Sequence, residues 1–433
     1  MESTVGNLAL KARAAFKQFA GKPLKDREAV IRAIRMVLAS EAEDLARRAF
    51  NETGMGIVAD KQEKIALAIH QTPGTEDLIT EVVTNDDGMV LYELSAFGVV
   101  CAVHPATNPA AMLINITISA LAAGNAVIHC AHPRALETSK HIVALMNETA
   151  RRVLGIDHLI GILPTGGMQA IQEMMNHPDV DMIVMTGSHT AVSRACSADK
   201  KVIGAGPANP PVIVDETANV IKAAEDIVKS ASFDNNLMCV TEKAIVAVNA
   251  IADTLAREME ACGAQYIEAP EEIEKLTRAI IDGDMQPRKV FDGRNAEDIL
   301  ESAGIPAKPG VKLVVVRAAP EHPFVTKELK MPVVPMVRTA NFDEAVAAAL
   351  AIEQGCHHTA MLHSQSIERL NYAAKIMQTS VFVKNGPGYA GIGYQMDAPC
   401  SFAVATKTGE GTVTARHFGR RRRCFLTEAF TIR

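Results

Sequence analysis

The stretch Phe97–Pro133, "FGVVCAVHPATNPAAMLINITISALAAGNAVIHCAHP", decides the fold. It opens on the run "GVVCAVHP", too uniformly apolar for a strand with one wet face. A helical segment follows, "PAAMLINITISALAAGN", stopped at Gly124, and then a second apolar run, "AVIHCAHP". Strand, helix and strand of these lengths form the unit of a parallel sheet, because parallel neighbours need a long crossover. The rhythm continues through the helix "RALETSKHIVALMNETARRVLG", the strand "LIGILPTGG", the helix "MQAIQEMMNHPDV" and the strand "DMIVMTGSHT", which runs into another helix. The reading is a doubly wound α/β sheet, whose ligands sit at the carboxyl ends of the strands. The turns to inspect are therefore "HPATNP", "HCAHPR", "LPTGG" and "MTGSHT".

Upstream, residues 1–70 read as amphipathic helices closing on Gly54 and Gly56. Two β-rich runs then flank Asn85-Asp86-Asp87-Gly88, a hairpin turn. Downstream, "KVIGAGPANPPVIVDETAN" breaks the rhythm with clustered Gly and Pro and places a domain boundary near residue 211. A second α/β unit follows, with "EKAIVAVNA", "KLVVVRAA", "HTAMLHS" and "SVFVKNG" as strands and "FDEAVAAALAIEQG" as a helix. The segment "SFAVATKTGEGTVTARHF" is strand-rich and polar, suited to pair with the hairpin of residues 82–93 or with a neighbouring subunit.

A chain of 433 residues exceeds the size of one growing core, so two or three domains are expected. Hydrophobic residues make up 48% and aromatics only 4%, which suits packed α/β layers and not a base-stacking surface. A formal charge of −6 gives no global attraction to nucleic acid or to an anionic membrane. The basic run Arg420–Arg423 lies between apolar residues, so a structural or oligomer-interface role is favoured over phosphate contact. Eight scattered cysteines include no CxxC pair and no zinc-ligand spacing, so no metal is expected. The start of the chain lacks a secretory pattern, and no apolar run approaches the roughly 20 residues of a membrane span. A reducing cytoplasm follows.

Two features carry chemistry. Thr186-Gly187-Ser188 ends a strand and opens a helix, the right context for a phosphate, although no GxGxxG fingerprint follows any strand. Cys239 sits in "SASFDNNLMCVTEKAIV" (230–246), between an Asn-Asn pair and Thr-Glu-Lys. On the residues alone two readings stand: a buried small hydrophobe, or an accessible thiol nucleophile kept polar company.

Taken together, "SFDNNLMCVTEK", "VHPATNP", "HPDVDMIVMTG", "IGAGPANPPVIVDETA", "HTAMLHS" and the tail "TGEGTVTARHFGRRRRCFLTEAFTIR" resemble the CoA-acylating aldehyde dehydrogenases, particularly those of bacterial propanediol and ethanolamine utilisation. The resemblance runs from about residue 50 to Arg433. It implies an aldehyde dehydrogenase-like α/β fold: a Rossmann-type cofactor domain (1–78 and 96–210), a catalytic domain (211–398) and a β-hairpin oligomerisation arm (79–95 and 399–433). It implies NAD+ and coenzyme A as cofactors, propionaldehyde or acetaldehyde as substrate, and a homodimer or homotetramer.

Residue by residue, Cys239 matches the nucleophile and Asn108 the oxyanion-hole asparagine. His358 matches a histidine of the acylating branch, able to deprotonate CoA or tune Cys239, with a structural histidine as the equal alternative. Glu328 matches the glutamate that holds the nicotinamide ribose, and His132 stands where hydrolytic relatives carry a ribose-binding lysine. Thr186, Gly187 and Ser188 match the loop beside the nicotinamide and pyrophosphate, and the turns holding Thr107, Gly167 and Gly206 complete the expected cofactor site. The general-base glutamate of hydrolytic relatives aligns with Gly204, which favours acyl transfer to CoA over hydrolysis. His357, His358 and His363 do not suggest metal, since adjacent strand histidines point to opposite faces. The stretch "NGPGYAGIG" is expected to shape the substrate and CoA channel.

Sulfoacetaldehyde or a hydroxyaldehyde as substrate, and a silent scaffold of the same fold, are the rival readings. Members packaged in bacterial microcompartments often carry an added terminal helix as an address, and none is legible here. Free cytoplasmic life, another address or a trimmed one all stay open, with shell or cargo proteins as partners in the packaged case.

Overall fold

The computed structural model describes residues 4–428, 430 and 432. The first three residues of the expected cofactor domain, and Ala429, Thr431 and Arg433 of the expected arm, lie outside them. Internal contacts divide the chain into two units: residues 1–52, 62–205 and 398–433 form the first, and residues 53–61 and 206–397 the second. The switch comes at 205/206, earlier than the Gly/Pro cluster suggests.

The chain enters through three helices, α1 (Thr4–Phe19), α2 (Leu24–Thr53) and α3 (Val58–Gln71), then a hairpin of β1 (Glu81–Asn85) and β2 (Gly88–Ala96). Gly88 alone in that turn takes a positive φ, 132°, and an added Cβ would meet the Leu426 carbonyl at 2.1 Å. There follow β3 (Val99–Val103), α4 (Pro109–Ala122), β4 (Ala126–Cys130), α5 (Leu136–Leu154), β5 (Ile160–Ile162), α6 (Met168–Asn176), β6 (Met182–Thr186), α7 (His189–Cys196) and β7 (Lys201–Ala205). The first unit's main sheet has the order β5-β4-β3-β6-β7, every pair parallel. The chain winds from β3 out to β5 and then returns to the other side of β3, so a topological switch point lies between β3 and β6. β7 is the strand that the Gly-rich reading of "KVIGAGPAN" missed: glycine lowers the strand signal, yet Gly204 pairs in register with Met185.

The second unit contains β8 (Pro211–Val214), α8 (Val220–Ser232), β9 (Ala244–Val248), α9 (Asn249–Ala261), β10 (Ala264–Ile267), α10 (Pro270–Ile280), α11 (Ala296–Ser302), β11 (Leu313–Arg317), α12 (Pro323–Thr326), β12 (Val333–Thr339), α13 (Phe342–Glu353), β13 (Thr359–His363), α14 (Ile367–Met377) and β14 (Val381–Lys384). Its parallel sheet runs β10-β11-β12-β9-β8-β13-β14. Strand residues alternate between two cores. Val212, Val214, Ile245 and Ala247 face α8 and α9, whereas Ile213, Val246 and Val248 face α13 and α14. Burial on both sides explains the unbroken apolar runs.

The chain returns to the first unit through two short strands, β15 (Val404–Ala405) and β16 (Gly411–Thr412), and ends on β17 (Gly419–Thr427). The long terminal strand is therefore the arginine run, not "SFAVATKTGEGTVTARHF". β17 pairs antiparallel with β2 over its whole length, Gly419 opposite Ala96 to Thr427 opposite Gly88. The arginines lie over rings: Arg421 is 4.1 Å from the Tyr92 ring centre and bonds Glu81 at 2.8 Å, and Arg420 is 5.0 Å from Phe97. Among the described residues no helix is long and apolar enough to cross a membrane.

Candidate active site

In the first unit the expected cofactor residues emerge at one edge. Thr107 and Asn108 follow β3, His132 follows β4, Gly167 follows β5, and Thr186, Gly187 and Ser188 close β6, all at the carboxyl end of parallel strands. Asn108 and Thr186 thus flank the switch point. Ser188 caps α7 by accepting from the Ala191 N–H at 3.3 Å, and the Gly187 N–H donates to the Ala205 carbonyl at 3.1 Å. The Thr186 hydroxyl oxygen is buried and meets no partner among the described residues. An orphaned hydroxyl at a strand end beside a helix N-terminus fits a bound phosphate or ribose. His132 is exposed, and its Nδ1 accepts from the Arg134 N–H at 3.1 Å.

Asn108 is 8% exposed, and its Oδ1 accepts from the Lys64 ammonium at 2.5 Å. It occupies the N-cap position of α4 without making a side-chain cap bond. Lys64, 2% exposed, was invisible to the sequence reading. A signal existed: Lys61 and Lys64 stand on the buried face of α3 with Ile65 and Ala68, where helical spacing calls for apolar residues.

The second unit collects its residues at the opposite kind of edge. Glu328, Cys239, Gly206 and His358 precede β12, β9, β8 and β13, four consecutive strands of the sheet, so all four lie towards its amino end. The carboxyl-end rule governs only the first unit.

Cys239 is partly exposed and follows a turn, Phe233–Asn236, in which Asp234, Asn235 and Asn236 hold left-handed φ values of 47°, 54° and 61°. Such backbone costs roughly 1 kcal/mol per residue and persists only when the surroundings over-determine it. Here they do. The Asp234 carboxylate accepts from the Ile57 N–H at 2.7 Å and from the Lys61 ammonium at 3.1 Å, and its own N–H donates to Asp60 at 2.8 Å. The Asn235 amide donates to the Gly293 carbonyl and to Asn295, both at 2.9 Å. Lys243, 1% exposed, donates to the Asn236 carbonyl at 2.5 Å and its Oδ1 at 2.8 Å. Gly56 (φ 78°) has no room for a side chain, since a Cβ would fall 1.9 Å from Asp234 Oδ1.

The electrostatics follow from burial. It pushes the Cys239 thiol up to about 11, with the Glu328 carboxylate adding to the rise and Lys243 and Lys330 opposing it. Burial also brings the Lys243 ammonium down to about 8, against the pull of Glu328 and Cys239. Glu328 lies 3.6 Å from Lys330, whose pKa it raises. Glu242 is buried and raised to about 7, while its Oε1 accepts from the Gly388 N–H at 2.8 Å and so ties "NGPGYAGIG" to the segment that follows Cys239. His358 is 1% exposed, and burial lowers it to about 4; its Nδ1 is 2.9 Å from the Thr359 hydroxyl. His357 (φ 54°) precedes β13 and His363 ends it, so the three histidines do not alternate along one strand as the sequence suggests. Gly206 is half-buried between β7 and β8.

A model of the aldehyde dehydrogenase family matches residues 2–393. This chain belongs to the aldehyde dehydrogenase family. A propanal dehydrogenase (CoA-propanoylating) of Salmonella typhimurium is 46% identical over 425 residues, spanning 98% of this chain and 91% of that protein. The crystal structure of Rhodopseudomonas palustris propionaldehyde dehydrogenase, with bound CoA and an acylated cysteine, superposes at TM-score 0.97 with 39% identity, covering 100% of this chain and 99% of that one. A propionaldehyde dehydrogenase from the fucose utilisation microcompartment of Clostridium phytofermentans also superposes at 0.97, with 38% identity and coverage of 100% and 99%.

One position of this aldehyde dehydrogenase carries a packing constraint of its own. Gly204 is the position that the resemblance aligns with the general base of hydrolytic relatives. A Cβ there would meet Val192 Cγ1 of α7 at 2.9 Å, and the Gly204 N–H donates to the Thr408 hydroxyl oxygen at 2.9 Å. A side chain at 204 would have to displace Val192, so packing is a second reason for the glycine beside the missing base.

Proposed function

We propose that this aldehyde dehydrogenase oxidises propionaldehyde or acetaldehyde with NAD+ and passes the acyl group to coenzyme A. The likeness of the whole chain to a CoA-propanoylating enzyme, at 46% identity, carries the reading. Cys239 attacks the aldehyde carbon as a thiolate, forming a C–S bond and an oxyanion. The Asn108 amide, its Oδ1 already accepting from Lys64, donates its N–H to that oxygen. NAD+, when bound, accepts the hydride that leaves the thiohemiacetal carbon. Thr186, Gly187 and Ser188, with Thr107, His132, Gly167 and Gly206, hold the cofactor, and Glu328 orients its ribose. The thioester left on Cys239 is then released by the CoA thiol.

We assign His358 to that thiol. With a conjugate acid at about 4 it is a weak base, so it orients the incoming thiol as a hydrogen-bond acceptor and does not store its proton. Val82 and Val83 of β1 and Phe425 and Leu426 of β17 are each more than two-fifths exposed, and we assign this sheet to contact with a second copy of the chain. Packaging in a microcompartment, as for the Clostridium relative, belongs to the same proposal.

The test follows NADH formation from propionaldehyde and NAD+, with and without CoA, in wild type and Cys239→Ala. Sustained turnover only with CoA, abolished in the variant, is the expected result. Equal turnover without CoA would mean that water cleaves the thioester, and the acylating assignment would fall.

A further inference from the structure

The oxyanion donor has its own orienting group. An ammonium can only donate, so Lys64 at 2.5 Å must face the oxygen of the Asn108 amide and never its nitrogen. This removes the flip ambiguity of an asparagine side chain. It also explains an anomaly at the start of α4. Asparagine at an N-cap ordinarily turns its oxygen onto the helix N–H groups, yet Asn108 makes no such bond, and Pro109 fills the first helical position. The oxygen is withheld from the helix and given to Lys64. Both partners are almost wholly buried, at 2% and 8% exposure, so water does not compete for the pair. With its acceptor occupied, the amide presents only its two N–H donors.

We infer that Lys64 is a positioning residue for the reaction: its buried ammonium fixes the Asn108 amide with the donors turned to the substrate oxygen. This rests on the reading of Asn108 as oxyanion donor. Without Lys64 the amide is free to flip or to cap α4, and in either case a donor is lost from the site.

A double-mutant cycle tests this. We expect Lys64→Met to lower kcat tenfold to a hundredfold, somewhat less than the 10²–10³-fold typical of deleting an oxyanion donor. Asn108→Ala should fall further, and the double variant should be no slower than Asn108→Ala alone, because Lys64 acts only through the amide. Lys64→Gln, which keeps a neutral donor, should recover part of the loss. If Lys64→Met does not fold, the Gln variant takes its place in the cycle. Losses that multiply in the double variant overturn the inference, since Lys64 would then act on its own. A wild-type rate in the folded Lys64 variant, with Asn108→Ala impaired, overturns it too. A wild-type rate in Asn108→Ala removes the oxyanion assignment and the inference with it.

Discussion

The turn before Cys239 is predicted to be sensitive to perturbation, and Asp234→Ala is the change that shows it. The wild-type carboxylate is fully buried, accepts the Ile57 N–H at 2.7 Å and stands 3.1 Å from a Lys61 ammonium that is itself 5% exposed. Removing one partner of a buried ion pair costs about 3–5 kcal/mol, because the other charge stays out of water. The Ile57 N–H loses its acceptor as well, and alanine takes up the left-handed φ of 47° less readily than aspartate. For a unit of about 200 residues, each kcal/mol is worth roughly 2–4 °C, so the thermal transition should drop by roughly 6–20 °C. Asp234→Asn keeps the shape and an acceptor for Ile57, so it should lose less than alanine. Differential scanning calorimetry of both variants supplies the numbers, and alkylation of Cys239 followed by peptide mass spectrometry reports the turn. A transition within 2 °C of wild type in Asp234→Ala would refute the reasoning, because the strained backbone would then need no such clamp.

Two further expectations concern charge. Lys243→Gln keeps a donor to Asn236 but removes the cation that favours the Cys239 thiolate, so alkylation of Cys239 at pH 7, where a lysine lowered to about 8 is still mostly charged, should slow about tenfold, a shift of one pKa unit; an unchanged rate in a folded variant would mean that Lys243 serves packing alone. Acid should destabilise the fold through buried neutral histidines. His358 and His363 are lowered from the usual 6.5 to about 4, so between those values the unfolded chain binds more protons and stability rises with pH. Each contributes about 3 kcal/mol that is present above pH 6.5 and lost on the way to pH 4. Glu242, raised to about 7, works in the other direction and offsets about one of them. The measured melting temperature should therefore fall as pH drops from 6.5 to 4, and a level profile would count against the neutral histidines.

The parallel architecture was legible because buried strands cannot hide. "GVVCAVHP", "AVIHCAHP" and "EKAIVAVNA" are apolar on both faces, and each is a central strand. What misled was local composition. The Gly/Pro cluster around Gly204 and Gly206 read as a break before a domain boundary, yet the pairing of β7 with β6 is set by backbone hydrogen bonds that need no side chain. The arginine run read as structural or interfacial, and as a strand it is sustained by rings: the neighbouring Arg420 and Arg421 lie over Phe97 and Tyr92. Cys239 was legible through its neighbours, whereas Lys64 and Lys243 were not, because a lysine at an apolar position looks like noise until its acceptor is known. Those acceptors, Asn108 and Asn236, lie 44 and 7 residues away.

The same lysines bear on why the thiol rests unreactive. Cys239 at about 11 is almost wholly protonated at neutral pH, an odd state for a nucleophile judged by its own pKa. Burial is the larger cause, and the Glu328 carboxylate adds to it. Cofactor bound at Glu328 would engage that carboxylate and weaken its hold on the thiol, leaving Lys243 and Lys330 as the charges that Cys239 feels most. On this argument the nucleophile is armed by cofactor, so adding NAD+ without aldehyde should speed Cys239 alkylation wherever the reagent still reaches the sulfur. Glu328→Gln tests the cause: it should raise the basal alkylation rate and shrink the cofactor's effect. A variant whose basal rate matches wild type, and which still responds fully to NAD+, would show that the Glu328 charge does not restrain the thiol.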